Sequence, residues 1–424
     1  MGAAAYVAVG ALESAFAFAT LLFVAYNLMM ALPGVLFAPK PPKPPGDGER
    51  VRTRFLVLVA AHDEGRVIAP TVRSLRAVEV PPGGVRIVVV CDNCTDDTAE
   101  RAREAGAETW VRTDPLRRGK GAAVRWALER ALGMDDWDAV VLLDADNLVD
   151  RHLLTAFAAR LARGEEAIQA YLDSKNPTDN WLSLSYAMGY WAASRLYQAS
   201  RDAVGLSAQL GGTGICLARC VVEELGWPAL SLTEDLELTM RLVLSGRRVT
   251  WAHEARVYDE KPVHLAVAWR QRVRWMQGHT FVARRLTLPL LGRLLRHGDL
   301  AALDAVMYLW APTLQLVGMV WTLSWLAAVL FGLPLPVPVL PLPGFALMTL
   351  ATYGATAVGL WVEGRAWALR NLPGHLFAGL VWWLTTVVGW LRHRDQGTWV
   401  HTPHTRALTA PALAGGGGEG EAEA

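Results

Sequence analysis

The sequence predicts an α/β domain built on a parallel sheet and flanked by transmembrane and interfacial helices. Three observations carry that expectation. Hydrophobic residues make up 52% of the 424, with 18 tryptophans, and the mean hydropathy is +0.22, which is more apolar than a wholly soluble protein of this size. Three short runs, Phe55–Ala60, Arg86–Val90 and Ala139–Leu143, read as strands buried on both faces, and acids follow each within a few residues. From Lys261 to Gly298 there is no Asp or Glu, while Arg, Trp and Leu abound. The length allows two to three units at about 150 residues per domain. Lys plus Arg number 41 against 40 Asp plus Glu, a net charge of +1; no global field exists to hold a nucleic-acid backbone, so no nucleic-acid partner is expected. Four cysteines exclude a disulfide scaffold and read as ordinary buried thiols.

Residues 1–38 form the first element, a transmembrane helix. From Tyr6 to Phe37 the chain is apolar apart from Glu13, and about 20 such residues cross a bilayer. No Lys or Arg precedes this span, whereas Lys40, Lys43, Arg50, Arg52 and Arg54 follow it, which puts the N-terminus outside and the next domain in the cytoplasm. Without a basic n-region the span reads as an uncleaved anchor. Residues 39–50, PKPPKPPGDGER, are a stiff linker, because repeated prolines remove donors and hold the backbone extended. Residues 51–260 alternate branched-aliphatic runs with Ala-, Arg- and Glu-rich stretches, the pattern of a cytoplasmic α/β domain.

Residues 261–300 read as amphipathic interfacial helices, with Arg270, Arg272, Arg274, Arg284 and Arg285 among Trp269, Trp275 and Phe281, suited to an anionic membrane surface. A C-terminal membrane region, 301–395, follows, with spans at about 305–331 and 345–362. Arg365 and Arg370 precede the apolar stretch His375–Leu391 and Arg392 and Arg394 follow it. Both ends then belong on the cytoplasmic side, so a re-entrant or interfacial segment broken near Leu372-Pro373-Gly374 is expected rather than a span. Residues 396–409 contain Trp399–Arg406, and 410–424 are too rich in Gly, Ala and Glu to fold.

Ligands of open parallel sheets bind beyond the carboxyl ends of the strands. There the sequence places Asp63 and Glu64, then Asp92, Asp96 and Asp97, then Asp144 and Asp146. Seven carboxylates converging on one crevice call for a neutraliser, and a hard cation such as Mg²⁺ or Mn²⁺, held by Asp144 and Asp146 and by substrate phosphates, supplies one. Other phosphate and metal sites are excluded residue by residue. Arg118-Gly119-Lys120-Gly121 is no P-loop, because Asp114 and Gly121 stand where Gly and Ser or Thr are required. GGTG at 211–214 lacks the dinucleotide spacing. Cys91, Cys94, Cys216 and Cys220 lack zinc-site spacing. Ser231 and Glu234 fit a capping box opening a helix, which leaves Asp235 unexplained and available as a general base. In the basic segment Arg274 suits a diphosphate and Trp275 the apolar face of a sugar.

Taken together, VAAHDE at 59–64, CDNCTDDT at 91–98, RRGKGAA at 117–123, DAD at 144–146, GGTG at 211–214, TED at 233–235 and QRVRW at 271–275 resemble a membrane-integrated family 2 glycosyltransferase with a GT-A, Rossmann-like nucleotide-sugar-binding domain. The resemblance covers roughly residues 51–280. It implies that Glu64, Asp92, Lys120 and Asp144 bind the donor nucleotide, that Asp144 and Asp146 hold Mg²⁺ or Mn²⁺ on the diphosphate, and that Asp235 is the catalytic base. Gln271, Arg274 and Trp275, with Gly212, Thr213 and Glu234, fall to the diphosphate and acceptor end. Cys94-Thr95 stands where many relatives have Gly-Ser, and Trp399–Arg406 resembles a Trp/Thr motif of related synthases. The implied reaction is inverting sugar transfer from a UDP-linked donor at a bacterial plasma membrane. The implied acceptor is a growing polysaccharide, with a membrane lipid, as in enzymes resembling ceramide glucosyltransferases, as the alternative.

Overall fold

The computed structural model describes residues 3–39, 52–228, 230–332 and 342–397. The expected linker beyond Pro39, the Trp399–Arg406 segment and the tail from 410 lie outside them. Branched aliphatic residues pack on both faces of a pleat, and the three runs read from sequence form β1 (Phe55–Ala61), β2 (Val85–Asp92) and, after β3 (Glu108–Arg112), β4 (Ala139–Asp144). With β5 (Leu148–Val149), β6 (Ala167–Ser174), β7 (Ile215–Ala218) and β8 (Val249–Asp259) they make one eight-stranded sheet in the order β3-β2-β1-β4-β7-β6-β8-β5. β1 pairs in parallel with β2 and β4, β2 with β3, and β6 with β8. Because β7 is antiparallel to both β4 and β6, the carboxyl ends of β1, β2, β4, β6 and β8 share one edge. Alternate residues feed separate cores, Leu56, Leu58, Val88 and Leu142 on one face, Val57, Val59, Val89 and Val141 on the other.

The helices are α1 (Ala3–Leu36), α2 (Ile68–Arg76), α3 (Thr98–Glu104), α4 (Lys120–Leu132) and α5 (Leu153–Leu161), then α6 (Trp181–Ala193), α7 (Ser200–Ala203), α8 (Arg219–Leu225) and α9 (Glu234–Leu244). A π-helical stretch, Ser194–Ala199, joins α6 to α7. The basic segment, expected as several interfacial helices, is a single 33-residue helix, α10 (Leu265–His297), with Pro289 inside it. α11 (Leu300–Leu330), α12 (Leu342–Val362) and α13 (Leu372–Arg392) are the last helices of the described residues.

Among the described residues, three stretches are long and apolar enough to cross a bilayer, Phe18–Leu36, Leu300–Val320 and Ala366–Arg392, while Leu350–Val362 is shorter. Three helix ends meet the α/β domain near the π-helical stretch. The end of α1 is fixed by Gly34 N donating to Ser200 Oγ at 2.8 Å. A Cβ on Gly34 would lie 2.0 Å from Arg195 O, so only glycine permits this approach. The start of α11 brings Asp304 to Arg201 at 3.3 Å, with Tyr26 of α1 donating to the same carboxylate. The end of α12 brings Glu363 to Tyr171 Oη at 2.9 Å.

α13 runs differently. Leu372-Pro373-Gly374 opens this helix instead of breaking it, with proline in the first turn where its missing N–H costs nothing. The discontinuity is the junction with the short 3₁₀ turn Ala366–Asn371. At its start Asn371 donates to Trp181 O and Ser185 Oγ, both at 2.9 Å. Halfway along, Trp382 meets Tyr186 edge to face at 5.4 Å. Just beyond its other end Gln396 Oε1 accepts from Leu232 N at 2.8 Å. Both ends of α13 therefore touch the α/β domain.

Candidate active site

The carboxyl ends of β1, β2, β4, β6 and β8 open on a cavity of about 590 Å³ whose wall includes Glu64, Asp92, Lys120, Asp144 and Asp146, and also Gly212, Thr213, Glu234, Asp235, Gln271, Arg274 and Trp275. Every residue to which the resemblance gives a donor, metal, base or acceptor role is thus brought to one place. Three of the seven crevice acids are not. Asp63 accepts from the backbone N–H of Thr95 and Asp96, Asp96 accepts from Gly65 N and Thr98 N, and Asp97 pairs with Arg101. These short side chains fold the two loops against each other. Asp63, Cys94 and Asp96 do lie close enough to share an ion, but those carboxylates are already engaged as loop caps.

Cations of the chain itself neutralise much of the remaining charge, which sequence reasoning missed. Asp92 is buried against Arg112 at 2.5 Å. Lys120 pairs with Asp144 and donates to Gly212 O at 2.6 Å. Burial by itself would lower the Lys120 pKa, but Asp144, Glu234 and Asp235 together raise it, so the ammonium stays charged. Lys175 donates to Asp146 O at 2.6 Å and lies 3.6 Å from its carboxylate. Lys261 pairs with Asp259 at 2.6 Å and stands 3.3 Å over the Tyr190 ring. A signal for both lysines was present: the parallel neighbours β6 and β8 each end in acid-x-Lys, Asp173-Ser-Lys175 and Asp259-Glu-Lys261.

The segment GGTG stitches the site together. Thr213 Oγ1 accepts from Asp144 N at 3.1 Å and bonds Asn147. Gly212, at φ +83°, faces the base position, because a Cβ there would lie 3.3 Å from Asp235 Oδ2. The expected capping box does not form. α9 begins at Glu234, its N-cap is Thr233, and no side chain caps it; Ser231 Oγ and Thr233 Oγ1 are buried without hydrogen-bond partners. Glu234 and Asp235 therefore occupy the first turn, where an uncapped helix N-terminus favours negative charge. Burial, and then repulsion from Asp235, pushes Glu234 up to about 7; burial raises Asp235 as well, against Lys120 and Arg274.

At the α10 side, Arg272 rather than Arg274 is held by aromatics, 5.2 Å from the Tyr186 ring, 5.3 Å from Trp275 and 4.6 Å from Trp382. Trp275 is three residues on along α10, but Tyr186 and Trp382 lie on α6 and α13, far away in sequence, so no local spacing marked the cluster as a whole. The cysteines are not all buried: Cys220 is exposed.

The family model described as "Glycosyltransferase like family 2" matches residues 53–278, which takes in the seven motifs from VAAHDE at 59–64 to QRVRW at 271–275. The chain belongs to glycosyltransferase family 2. Among curated relatives of this family, a probable glycosyltransferase, YdaM, of Bacillus subtilis is 27% identical over 53% of this chain and 55% of its own length. A beta-monoglucosyldiacylglycerol synthase of Nostoc is 30% identical over 52% of this chain and 48% of its own. The chain spans about half the length of these relatives. The solved mannosyltransferase PcManGT of Pyrobaculum calidifontis, in complex with GDP-Man and Mn²⁺, superposes with a TM-score of 0.54 at 20% identity, over 88% of this chain and 98% of that one. The α/β domain accordingly has the GT-A fold that the family uses.

Proposed function

We propose that this family 2 glycosyltransferase transfers a sugar, with inversion, from a UDP-linked donor to a hydroxyl of a membrane-resident lipid. One observation carries the choice of acceptor. Behind Tyr308, on the cavity wall, the protein is packed: Tyr197 lies tilted against Tyr308 at 5.1 Å, Arg201 covers Tyr197 at 3.9 Å, and Asp304 and Tyr26 join α11 to α1. A polymer threading outward between those helices would have to displace a buried ion pair. A lipid acceptor does not require a passage between those helices, and so leaves that pair in place. The names of the 30%-identical glucosyldiacylglycerol synthases favour the same reading. A poly-beta-1,6-N-acetyl-D-glucosamine synthase, 24% identical, keeps the polysaccharide as the reading to test against.

In this mechanism Lys120 and Arg274 hold the donor diphosphate, and Asp235 takes the proton from the acceptor hydroxyl. That oxygen bonds to the anomeric carbon as the bond to the leaving diphosphate breaks on the opposite face, so no covalent enzyme intermediate is required. The donor set suits Mg²⁺ or Mn²⁺: Asp144, Asp146, Asp259 and Glu260 offer only oxygen, and buried Glu260 Oε2 has no hydrogen-bond partner. Asp144 and Asp146 would hold the ion, which when bound supplies charge stabilisation to the departing diphosphate. Lys and Arg following α1, and helix ends gathered on the domain, support a cytoplasmic catalytic face at a bacterial plasma membrane.

The test is a panel of nucleotide sugars offered to the purified full chain with diacylglycerol micelles and Mn²⁺, products being sized. Lipid carrying one added sugar is expected. A ladder of long saccharide products would overturn the lipid reading in favour of the polymer.

A further inference from the structure

The cavity does not end at Asp235. It continues along residues 209–212, and three residues before Gly212 its wall includes Gln209. At about 3.3 Å per residue of extended chain, Gln209 stands at most ~10 Å from the glycine that faces the base. The residue is buried, 5% exposed. Nε2 donates to Tyr197 Oη at 3.1 Å, while Oε1 accepts from nothing.

Trp251 of β8 lines the same cavity, is 2% exposed, and its indole N–H likewise has no partner. The two residues are neighbours through the backbone, because Ala208 N donates to Val249 O at 2.9 Å and Val249 N to Ser207 Oγ at 3.0 Å. Two residues of the cavity wall thus keep, just beneath its surface, a buried acceptor without a donor and a buried donor without an acceptor, a pairing that folded proteins rarely leave unmet. A hydroxyl group both donates and accepts, so hydroxyls satisfy both atoms; a phosphate satisfies only the indole. The surroundings are neutral too. Ser194, Gln198 and Tyr308 line this end with His279, whose Nε2 donates to Leu309 O at 2.9 Å and whose ring is kept uncharged by burial.

We propose that Gln209 and Trp251 form the acceptor subsite for a neutral polyhydroxyl headgroup, a glycosyl or glycerol unit, bonding its far hydroxyls while the reacting hydroxyl lies at Asp235. The inference rests on the lipid-acceptor reading and sharpens it: the enzyme selects its lipid by the headgroup, and a simple alcohol of the same chain length binds poorly.

Three probes separate these claims: dodecyl β-D-glucoside, 1-O-dodecylglycerol and dodecanol, assayed with the full chain in a sugar-free detergent and the nucleotide sugar that the panel selects. The glucoside or the dodecylglycerol is expected to be glycosylated far better than dodecanol. Gln209→Met and Trp251→Phe, which keep size and ring packing, should each raise KM for the better polyol probe about 3- to 10-fold, the loss of one hydrogen bond. KM for dodecanol should not move, and calorimetric affinity for UDP reports that each variant is folded; should one fail to fold, the other decides. Unchanged polyol KM in the folded variants, or dodecanol equal to both polyols in wild type, overturns the subsite while leaving lipid glycosylation standing. Donor turnover with no alkyl product from any probe overturns the lipid reading, and the subsite with it.

Discussion

Asp235 and Glu234 share the first turn of α9 with no capping side chain beside them, so both carboxylates depend on Lys120 and Arg274 for compensation. If Asp235 is the base, Asp235→Asn lowers kcat by about 10²–10⁴-fold while calorimetric UDP affinity stays within a few-fold; transfer above a tenth of wild type would place the proton elsewhere. Glu234 yields a pH prediction. It ionises near 4.5 when exposed and near 7 in the folded chain, so between those values the folded state holds a proton that the unfolded state has released. The stability this contributes is complete below 4.5 and is lost as pH rises through 7. Glu234→Gln should therefore raise Tm relative to wild type at pH 8 and leave the two level at pH 4, and a larger gain at the acid end would contradict the raised pKa. For the metal, Asp146→Ala should abolish the Mn²⁺ enhancement of UDP binding, whereas Asp96→Ala, which touches only a loop cap, should preserve it; the reverse pattern would move the ion to the Asp63–Cys94–Asp96 cluster. Asp144, Asp146 and Asp235 were legible because their spacing after strands or at a helix start is local. Arg112 and Arg272 were not, since Asp92, Tyr186 and Trp382, which bring them to the site, come from other elements.

At the scale of elements, the sheet was readable and one helix was ambiguous. Branched-aliphatic runs with acids at their ends gave β1, β2 and β4 to within two residues, because a strand buried on both faces tolerates little else. α13 has the length and apolarity of a span, so composition cannot separate crossing from lying flat. Geometry favours the second. A helix of 21 residues is about 31 Å long, the thickness of the hydrocarbon core, yet Asn371 and Gln396 beside its two ends bond the same α/β domain. A Cβ on Gly389 would lie 2.3 Å from Met276, so the helix is pressed onto α10 as well. Its opposite stripe, Phe377, Leu380, Leu384 and Leu391, is exposed, as suits a helix resting in the interface. A single cysteine at Gly397, where a side chain has open space, in a background without Cys94 and Cys220, should resist an impermeant thiol reagent added to intact cells and react after permeabilisation. Labelling from outside would make α13 a true span.

Over the whole molecule, the ends of α1, α11 and α12 converge on the π-helical stretch and α7, and their joint is electrostatic: Arg201 and Asp304, both 2% exposed, with Tyr26 on the same carboxylate. The sequence offered little warning. Asp304 sits just before the apolar run expected to start at 305, and Arg201 lies 103 residues away with nothing periodic about it. Yet this joint both fixes the apolar helices to the α/β domain and packs behind Tyr308 of the cavity wall, so under the proposed lipid reading it bears on stability and product together. Removing one partner strands a buried charge, and Asp304→Leu should cost about 3–5 kcal/mol, whereas replacing both in Arg201→Met/Asp304→Leu should restore most of it, since well-packed apolar side chains can substitute for a buried pair. Unfolding of the purified full chain in detergent measures the cycle. The double variant should still add a single sugar, because apolar packing closes the floor as an ion pair does. Single variants as stable as wild type would mean that the pair is solvated, and the cavity floor would then be open to a growing chain.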